Sequence, residues 1–186
     1  MTQRLLYIVV IIVFFSCQNE DLSDDEYVRY INNPDNELFD QEEAGKYSLS
    51  IQYLPWLYIG LQNNSENTEY SENQYYLLKL ENKDGSQFPN KNMLSDEEYK
   101  SMIEYLSFKF DKSIYLVEEN DTLSTNSFHF ENSYGMTPHV SFLLSFPKSD
   151  KKLDKKFCLE SDYLSINKTV LAIKHESINK IPKLRR

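Results

Sequence analysis

The sequence is poor in the residues on which several common folds and sites depend. Among its 186 residues there are two cysteines and four glycines. A disulfide framework needs several cysteine pairs, so Cys17 and Cys158 cannot supply one. No two glycines lie close together, which excludes a glycine-rich loop around a phosphate group. Cys158, between Phe157 and Leu159, is expected to be a small buried residue rather than a reactive thiol.

Catalytic and metal-binding motifs are missing as well. His129, His139 and His175 form no HExxH pattern and no pair at metal-ligand spacing, and the chain has no GxSxG motif. His129 and His139 could meet across a hairpin, but strand histidines without a fixed spacing are usually ordinary surface or core residues. Carboxylates such as Glu118 and Glu131 are too plentiful for a glycosidase-like pair to be specific. We therefore expect no catalytic residue, no metal and no cofactor.

The chain has no concentrated basic face that would suit a nucleic acid. Its formal net charge is -9, and residues 20–43 carry ten acidic side chains against Arg29 alone. From Lys148 onward, eleven basic residues face five acidic ones. An acidic balance of this kind excludes a dedicated nucleic-acid-binding protein. The basic C-terminal stretch is typical of a solvated surface, with attraction to anionic lipid headgroups as the alternative.

No hydrophobic run is long enough to cross a bilayer. The longest apolar run, residues 5–15, would extend about 16 Å as a helix. A bilayer core is about 30 Å thick and requires roughly 20 residues. Together with the preceding Arg4, the run has the size of the apolar part of a secretory signal peptide. Ser16 and Cys17 follow it directly, with Phe14 two places before Ser16.

The segment "FFSC", ending at Cys17, resembles a bacterial lipobox. The resemblance implies that residues 1–16 are removed as a signal peptide and that the thiol of Cys17 is diacylated. Two acyl chains would hold the protein stably on a membrane, because each buried CH₂ contributes about 0.8 kcal/mol. A plain cleaved signal peptide, or a short buried element that contains a cysteine, is the alternative.

The next ten residues, "CQNEDLSDDE", resemble the acidic export tag of surface lipoproteins of the Bacteroidota. The resemblance implies an outer-membrane protein that faces the cell exterior. A solvated acidic spacer is the alternative, and a tether can also carry such a tag. The chain as a whole resembles the many small Bacteroidota lipoproteins with no assigned activity. These features divide it into a signal peptide (1–16), an acidic tether (17–44) and one β-rich domain (45–186).

The domain at 45–186 is expected to be mainly β. The chain has 14 tyrosines and 11 phenylalanines, and several segments alternate apolar with polar residues. We expect about seven strands, with hairpins joining 114–117 to 127–131 and turning near Asn167 and Lys168. One helix is predicted over 96–106, since Ser95 and Glu98 form a capping box. The predicted fold is an antiparallel two-sheet β-sandwich of immunoglobulin-like or transthyretin-like type.

Three aromatic residues are candidates for facing a ligand. Trp56 and Tyr58 follow Pro55 in "QYLPWLYIG", and Tyr134 lies in the loop "ENSYGMTPH". The alternative for Trp56 is a place in the core, which is where the single Trp of a small sandwich is usually buried. Asp121-Thr122-Leu123 resembles the O-glycosylation sequon of the same bacterial group, so Thr122 is a candidate modification site.

These observations favour a non-enzymatic surface module, anchored by Cys17, that binds a protein or glycan partner. A structural subunit of a cell-envelope assembly, docking through a sheet edge, is the second hypothesis. An enzyme acting on glycans is the third hypothesis. It is the least favoured, because no nucleophile and base occur at a diagnostic spacing.

Overall fold

A computed structural model describes residues 21–65, 68–133 and 137–185. Its four α-helices are α1 (Asp24–Ile31), α2 (Trp56–Gln62), α3 (Asp96–Phe108) and α4 (His175–Asn179). Its strands are β1 (Phe39–Ala44), β2 (Tyr47–Leu54), β3 (Asn73–Asn82), β4 (Ile114–Glu118), β5 (Asp121–Ser124), β6 (Ser127–Glu131), β7 (His139–Pro147), β8 (Lys155–Ser161) and β9 (Ile166–Ile173). No helix in these ranges is long and apolar enough to cross a membrane.

The strands form two antiparallel sheets, which confirms the predicted two-sheet β-sandwich. The first sheet has the order β1-β2-β3-β7-β6, and the second has the order β5-β4-β8-β9. At one side of the sandwich β1 lies beside β9, where the backbone N–H of Ala172 donates to Oδ2 of Asp40 at 2.5 Å. The immunoglobulin-like or transthyretin-like type stays a prediction.

The core between the sheets follows the two-residue period of a strand. In β3 and β7 every second side chain is fully buried, whereas the intervening ones are mostly half-buried. This alternation arises because successive side chains of a strand point to opposite faces of the sheet. The fully buried side chains of these strands are Tyr76, Leu78, Leu80, Val140, Phe142, Leu144 and Phe146, and the second sheet contributes Leu116, Phe157, Leu159 and Leu171.

The segment expected to be a tether belongs to the fold from residue 21 onward. Helix α1 buries Tyr27 and Ile31 in a second cluster with Leu38, Leu54 and Ile59. Strand β1 pairs with β2 along its whole length. The boundary predicted at residue 44 is therefore wrong for the described part of this segment. The acidic residues of α1 lie on its exposed side, so an acidic composition here marks a solvated helix face.

Several connections differ from the expected ones. Strand β4 forms its hairpin with β5, whereas β6 pairs with β7 in the other sheet. The last hairpin turns at 162–165, so Asn167 and Lys168 lie within β9. The described residues form nine strands and four α-helices instead of about seven strands and one helix. The missed elements are short, and short elements carry little periodicity.

Helix α3 begins where its capping box predicts. Ser95 accepts from the backbone N–H of Glu98 at 3.3 Å, and the Glu98 carboxylate accepts from the backbone N–H of Ser95 at 2.9 Å. These reciprocal bonds satisfy donors that the first turn of a helix leaves unpaired. The helix extends two residues beyond the predicted end, to Phe108, and Leu106 is fully buried against the sandwich.

Replacing Ser95 by alanine is expected to lower the free energy of unfolding by about 1 kcal/mol, because the cap of α3 is lost. Chemical denaturation monitored by circular dichroism measures the change. Ser101→Ala is the control, since Ser101 is exposed within the same helix and alanine favours a helix interior. Equal stability of the Ser95 variant and the wild type would contradict a stabilising role for the cap.

Candidate functional site

A largely apolar cavity lies at the end of the sandwich away from the N-terminal segment. Strand β2 runs from Tyr47 at this end to Leu54, which packs with α1, and its eight residues extend about 25 Å. The cavity has a volume of about 430 Å³. We call it the distal cleft, and it is lined by Lys46, Tyr47, Asn82, Lys83, Asp84, Ser86, Phe88, Pro89, Asn90, Met93, Leu94 and Met102.

An apolar floor and a polar rim make up the distal cleft. Phe88 packs edge-on against Tyr47 with ring centroids 5.1 Å apart, and both rings are largely buried. Met102 reaches the cleft from α3, while Met93 is 77 % exposed at its mouth. Methionine is flexible and polarisable, so it suits a surface that adapts to an apolar ligand group.

The loop at 83–92 is held by side chains of its own and by Asn82, the last residue of β3. Nδ2 of Asn82 donates to the carbonyl oxygens of Ser86 and Gln87, at 3.4 and 2.9 Å. Oδ1 of Asp84 accepts from the backbone N–H of Ser86 at 2.9 Å. Gly85, at φ +74°, supplies the left-handed residue of the turn. These bonds fix the wall of the cleft before any ligand binds, as is usual for ligand sites.

Charges at the rim are partly paired. Nζ of Lys83 forms an exposed ion pair with Glu43 at 2.5 Å, and Nζ of Lys46 lies 5.2 Å from the ring centre of Tyr47. Burial raises the pKa of Tyr47, although the neighbouring Lys46 opposes the shift. Hydrogen bonds from the side chain and backbone of Ser86 lower the pKa of Asp84, which is therefore charged at neutral pH. The rim thus offers both signs of charge around an apolar floor.

A shallower groove continues the cleft along α3. It shares Leu94 and Met102 with the cleft and ends at Tyr163, which is 48 % exposed. The ring of Tyr163 stacks on Tyr105 with centroids 4.1 Å apart. The hydroxyls of Tyr105 and Ser161 form a hydrogen bond of 2.6 Å, which fixes the position of this aromatic pair. Cleft and groove together give a continuous track rather than a single closed pocket.

The aromatic residues proposed from the sequence lie elsewhere. Trp56 and Tyr58 belong to α2, at the opposite end of β2 from the distal cleft. Trp56 is half-buried and lines a second cavity, and the hydroxyl of Tyr58 donates to Oδ1 of Asn32 at 3.4 Å. Tyr134 and Cys17 lie outside the described residues. Of the described candidates, neither Trp56 nor Tyr58 lines the distal cleft, and the assignment of all three aromatic residues stays a prediction.

The remaining sequence candidates are scattered. Thr122 is exposed on the edge strand β5, where a modifying enzyme could reach it. Cys158 is a free thiol and is buried, as expected. His129 is exposed on β6, while burial and the charge of Lys79 lower the pKa of His139. In the part of the chain that the structure describes, no three His, Cys, Asp or Glu side chains are grouped for a metal.

A buried ion pair joins β4 to β8. Nζ of Lys155 lies 2.7 Å from Oε1 of Glu118, and the side chains are 6 % and 1 % exposed. Nε2 of Gln74 donates to the same oxygen at 3.0 Å, and the Tyr76 hydroxyl donates to Oε1 of Gln74 at 2.9 Å. Burial pushes the pKa of Glu118 up, but hydrogen bonds from Lys155, Ser149 and Gln74 outweigh it and leave the pKa lowered. Neither member of the pair lines the distal cleft, the groove or the second cavity, so we assign it to stability.

Sequence reasoning missed the distal cleft because its residues come from separated segments. Tyr47 follows a turn, Met102 is on a helix, and Phe88, Met93 and Leu94 lie in an irregular stretch with no period. One sequence feature could have indicated the cleft: the segment "FPNKNML" contains four apolar residues although its composition is typical of a turn. Apolar residues in such a loop indicate contact with something other than water.

Comparisons with known proteins provide no second source for a function. No family model, no curated protein and no solved structure matches the chain.

Proposed function

We propose that this protein is a lipid-anchored, surface-exposed binding module of the outer membrane that captures a protein partner through the distal cleft. Cys17 carries the acyl chains, and the body presents the cleft to the medium. The chemistry of the floor favours an extended peptide segment with an apolar side chain. No catalytic step is assigned to the cleft.

The location of the cleft carries this proposal. Residue 21 is the first described residue and lies beside α2, at the Leu54 end of β2, four residues after Cys17. The distal cleft lies at the Tyr47 end of the same strand. An anchor at Cys17 would therefore hold the protein by one end and leave the cleft at the other, where a partner can approach. The preformed wall lowers the entropic cost of binding.

Anchoring is tested with protein produced natively in a Bacteroidota host. We expect the intact mass to show cleavage before Cys17 and two or more acyl chains, and Cys17→Ala to be released from the membrane fraction. Protease added to intact cells should digest the wild type. Any further mass that Thr122→Ala removes identifies the predicted glycan. The anchor would be refuted if the wild type carried no acyl mass and the Cys17→Ala variant still remained in the membrane fraction.

Binding is tested with peptide and glycan arrays probed by the chain that starts at residue 21. We expect peptides with large apolar side chains to bind, and Met102→Glu to abolish the signal by placing a charge in the apolar floor. Gln62→Glu, exposed at the end of α2 and away from the cleft, adds the same single charge and is the matched control. Binding of sugars alone, with no effect of Met102→Glu, would contradict the peptide-binding cleft.

A second candidate function has one specific observation in its favour. Strand β6 is one of the two edge strands of the first sheet, and its exposed residues alternate with half-buried Phe128 and Phe130. An edge of this kind can accept an additional strand from a partner. This function predicts that envelope proteins co-purify with the wild type and with Met102→Glu, but not with His129→Pro. That result would favour a structural subunit that docks through β6.

A further inference from the structure

The two ends of the described chain are joined beside α2. Leu22 and Leu184 form an isolated parallel bridge, in which the N–H of Leu22 donates to the carbonyl of Lys183 at 2.8 Å. The N–H of Arg185 donates back to the carbonyl of Leu22 at 2.7 Å, and its guanidinium donates to the carbonyl of Asp21 at 2.9 Å. These bonds fix the position of Asp21 on the body. The point from which residues 17–20 extend is therefore determined.

The reach from this point to Cys17 is short. Three residues lie between Cys17 and Asp21, so their Cα atoms are four residue steps apart, a distance of at most about 14 Å. A diacylated Cys17 lies at the bilayer interface because its chains are buried in the hydrocarbon. The surface around Asp21 is thereby held within reach of the headgroups, whose region is several ångströms thick on each side of the core.

That surface carries the side chains that suit a bilayer interface. A cavity of about 440 Å³ lies beside Asp21, with Trp56, Leu57, Leu61 and Leu184 among its lining residues. All four side chains are half-buried. Tryptophan is enriched at membrane interfaces because it combines a large apolar ring with one polar N–H. The close fit of α2 to the next loop requires Gly60, since a Cβ there would lie 2.9 Å from the carbonyl oxygen of Ser65.

Charge at this surface is mixed in sign, and exposed Asp21, Asp25 and Glu26 add to its acidic side. Asp24 and Arg185 both line the cavity, and the exposed Lys183 and Asp25 are close to them in sequence. A surface of mixed sign gains little from anionic lipids, so contact with the bilayer would depend on the apolar side chains. The relevant occupant is therefore the interface of the bilayer itself, including a zwitterionic one.

We propose that the surface formed by Trp56, Leu57, Leu61 and Leu184 docks on the lipid bilayer that holds Cys17. This inference rests on the anchor assigned under the proposed function. Docking makes the body stand on the membrane in one orientation instead of swinging on a flexible tether. The distal cleft then points away from the bilayer, about 25 Å from the docking surface along β2.

Fluorescence of Trp56, the only tryptophan in the chain, reads this contact directly. The chain from residue 17 with Cys158→Ala is coupled through Cys17 to a maleimide phospholipid in phosphatidylcholine vesicles. Some of the vesicle lipid carries bromine, either close to the headgroup or close to the chain ends. We expect the shallow bromines to quench Trp56, the deep bromines to quench it less, and the emission to shift to the blue on coupling.

A matched reporter at the other end is the control. In Trp56→Phe with Met93→Trp, the tryptophan replaces the most exposed apolar residue of the distal cleft and should keep its emission. Unquenched Trp56 in protein that co-floats with the vesicles would overturn the docking surface, as would equal quenching of both reporters. Coupling imposes the anchor chemically, so this result does not depend on whether cells acylate Cys17. Failure of the anchor itself appears separately, in the intact mass of the native protein.

Discussion

Replacing Lys155 by methionine is expected to lower the free energy of unfolding by about 3–5 kcal/mol. The variant keeps the length of the side chain but removes the ammonium group that lies 2.7 Å from Glu118. Removing one member of a buried ion pair leaves the other charge without compensation, which is the source of this cost. Gln74 continues to donate to Glu118 but cannot neutralise it. Urea denaturation monitored by circular dichroism measures the loss.

Two further variants distinguish the cost of leaving Glu118 without its partner from the cost of replacing a lysine side chain by methionine. Glu118→Leu combined with Lys155→Met should recover most of the stability, because an apolar replacement of a whole buried pair is often neutral or better. Lys109→Met removes the partner of Glu104 from an ion pair of 2.9 Å in which both side chains are more than half exposed. We expect no measurable change there. A double variant as unstable as Lys155→Met would show that packing, and not the isolated charge, causes the loss.

The same pair makes stability depend on pH in one direction. The pKa of Glu118 in the folded protein lies below its ordinary value of 4.5, because the hydrogen bonds from Lys155, Ser149 and Gln74 outweigh burial. A carboxyl with a lowered pKa stabilises the fold fully above its unfolded pKa and loses that contribution as the pH falls through the folded pKa. Wild-type stability should therefore fall below about pH 4.5, whereas the double variant should lose less over the same interval.

The sheets were the predictable part of this structure. Strands β2, β3 and β7 are long enough to show the alternation of apolar and polar residues, and one face of each is buried. Their amino-acid composition and their two-residue period therefore both predict a strand. Helix α3 is predicted because Ser95 and Glu98 form a local signal that requires no knowledge of the rest of the fold. The pairing of strands is different, since nothing local to 127–131 distinguishes a partner in β4 from one in β7.

The distal cleft and the buried ion pair could not be predicted for the same physical reason. Glu118 and Lys155 are 37 residues apart, and neither carries a sequence feature that distinguishes it from the other acids and lysines of the chain. Met102 and Tyr47 meet only because α3 packs at one end of the sheets. Such sites are created by topology, whereas Trp56 and Tyr58 are predicted to face a ligand because they are near neighbours in the sequence. Trp56 and Tyr58 accordingly lie together on α2, far from the distal cleft.

A chain that begins at residue 45, the domain boundary indicated by the sequence, is expected not to fold cooperatively. It lacks β1, so β2 loses the neighbour with which it pairs from Phe39 to Ala44. It also lacks α1 and Leu38, so the buried side chains of Leu54 and Ile59 become exposed. A newly exposed strand edge next to apolar side chains favours aggregation. Thermal denaturation and size-exclusion chromatography should show no cooperative transition and no monomer.

A chain that begins at residue 21 is the positive control and should unfold cooperatively, since every contact of α1 and β1 described above is retained. Within the full chain, Ile31→Ala should cost about 2–5 kcal/mol, because this side chain is fully buried at the end of α1. Arg29→Ala, exposed on the same helix, should change stability little. The comparison is decisive for the role of the acidic segment. If residues 24–44 were a tether, Ile31 and Arg29 would be equally tolerant of alanine, and the chain from residue 45 would be as stable as the chain from residue 21.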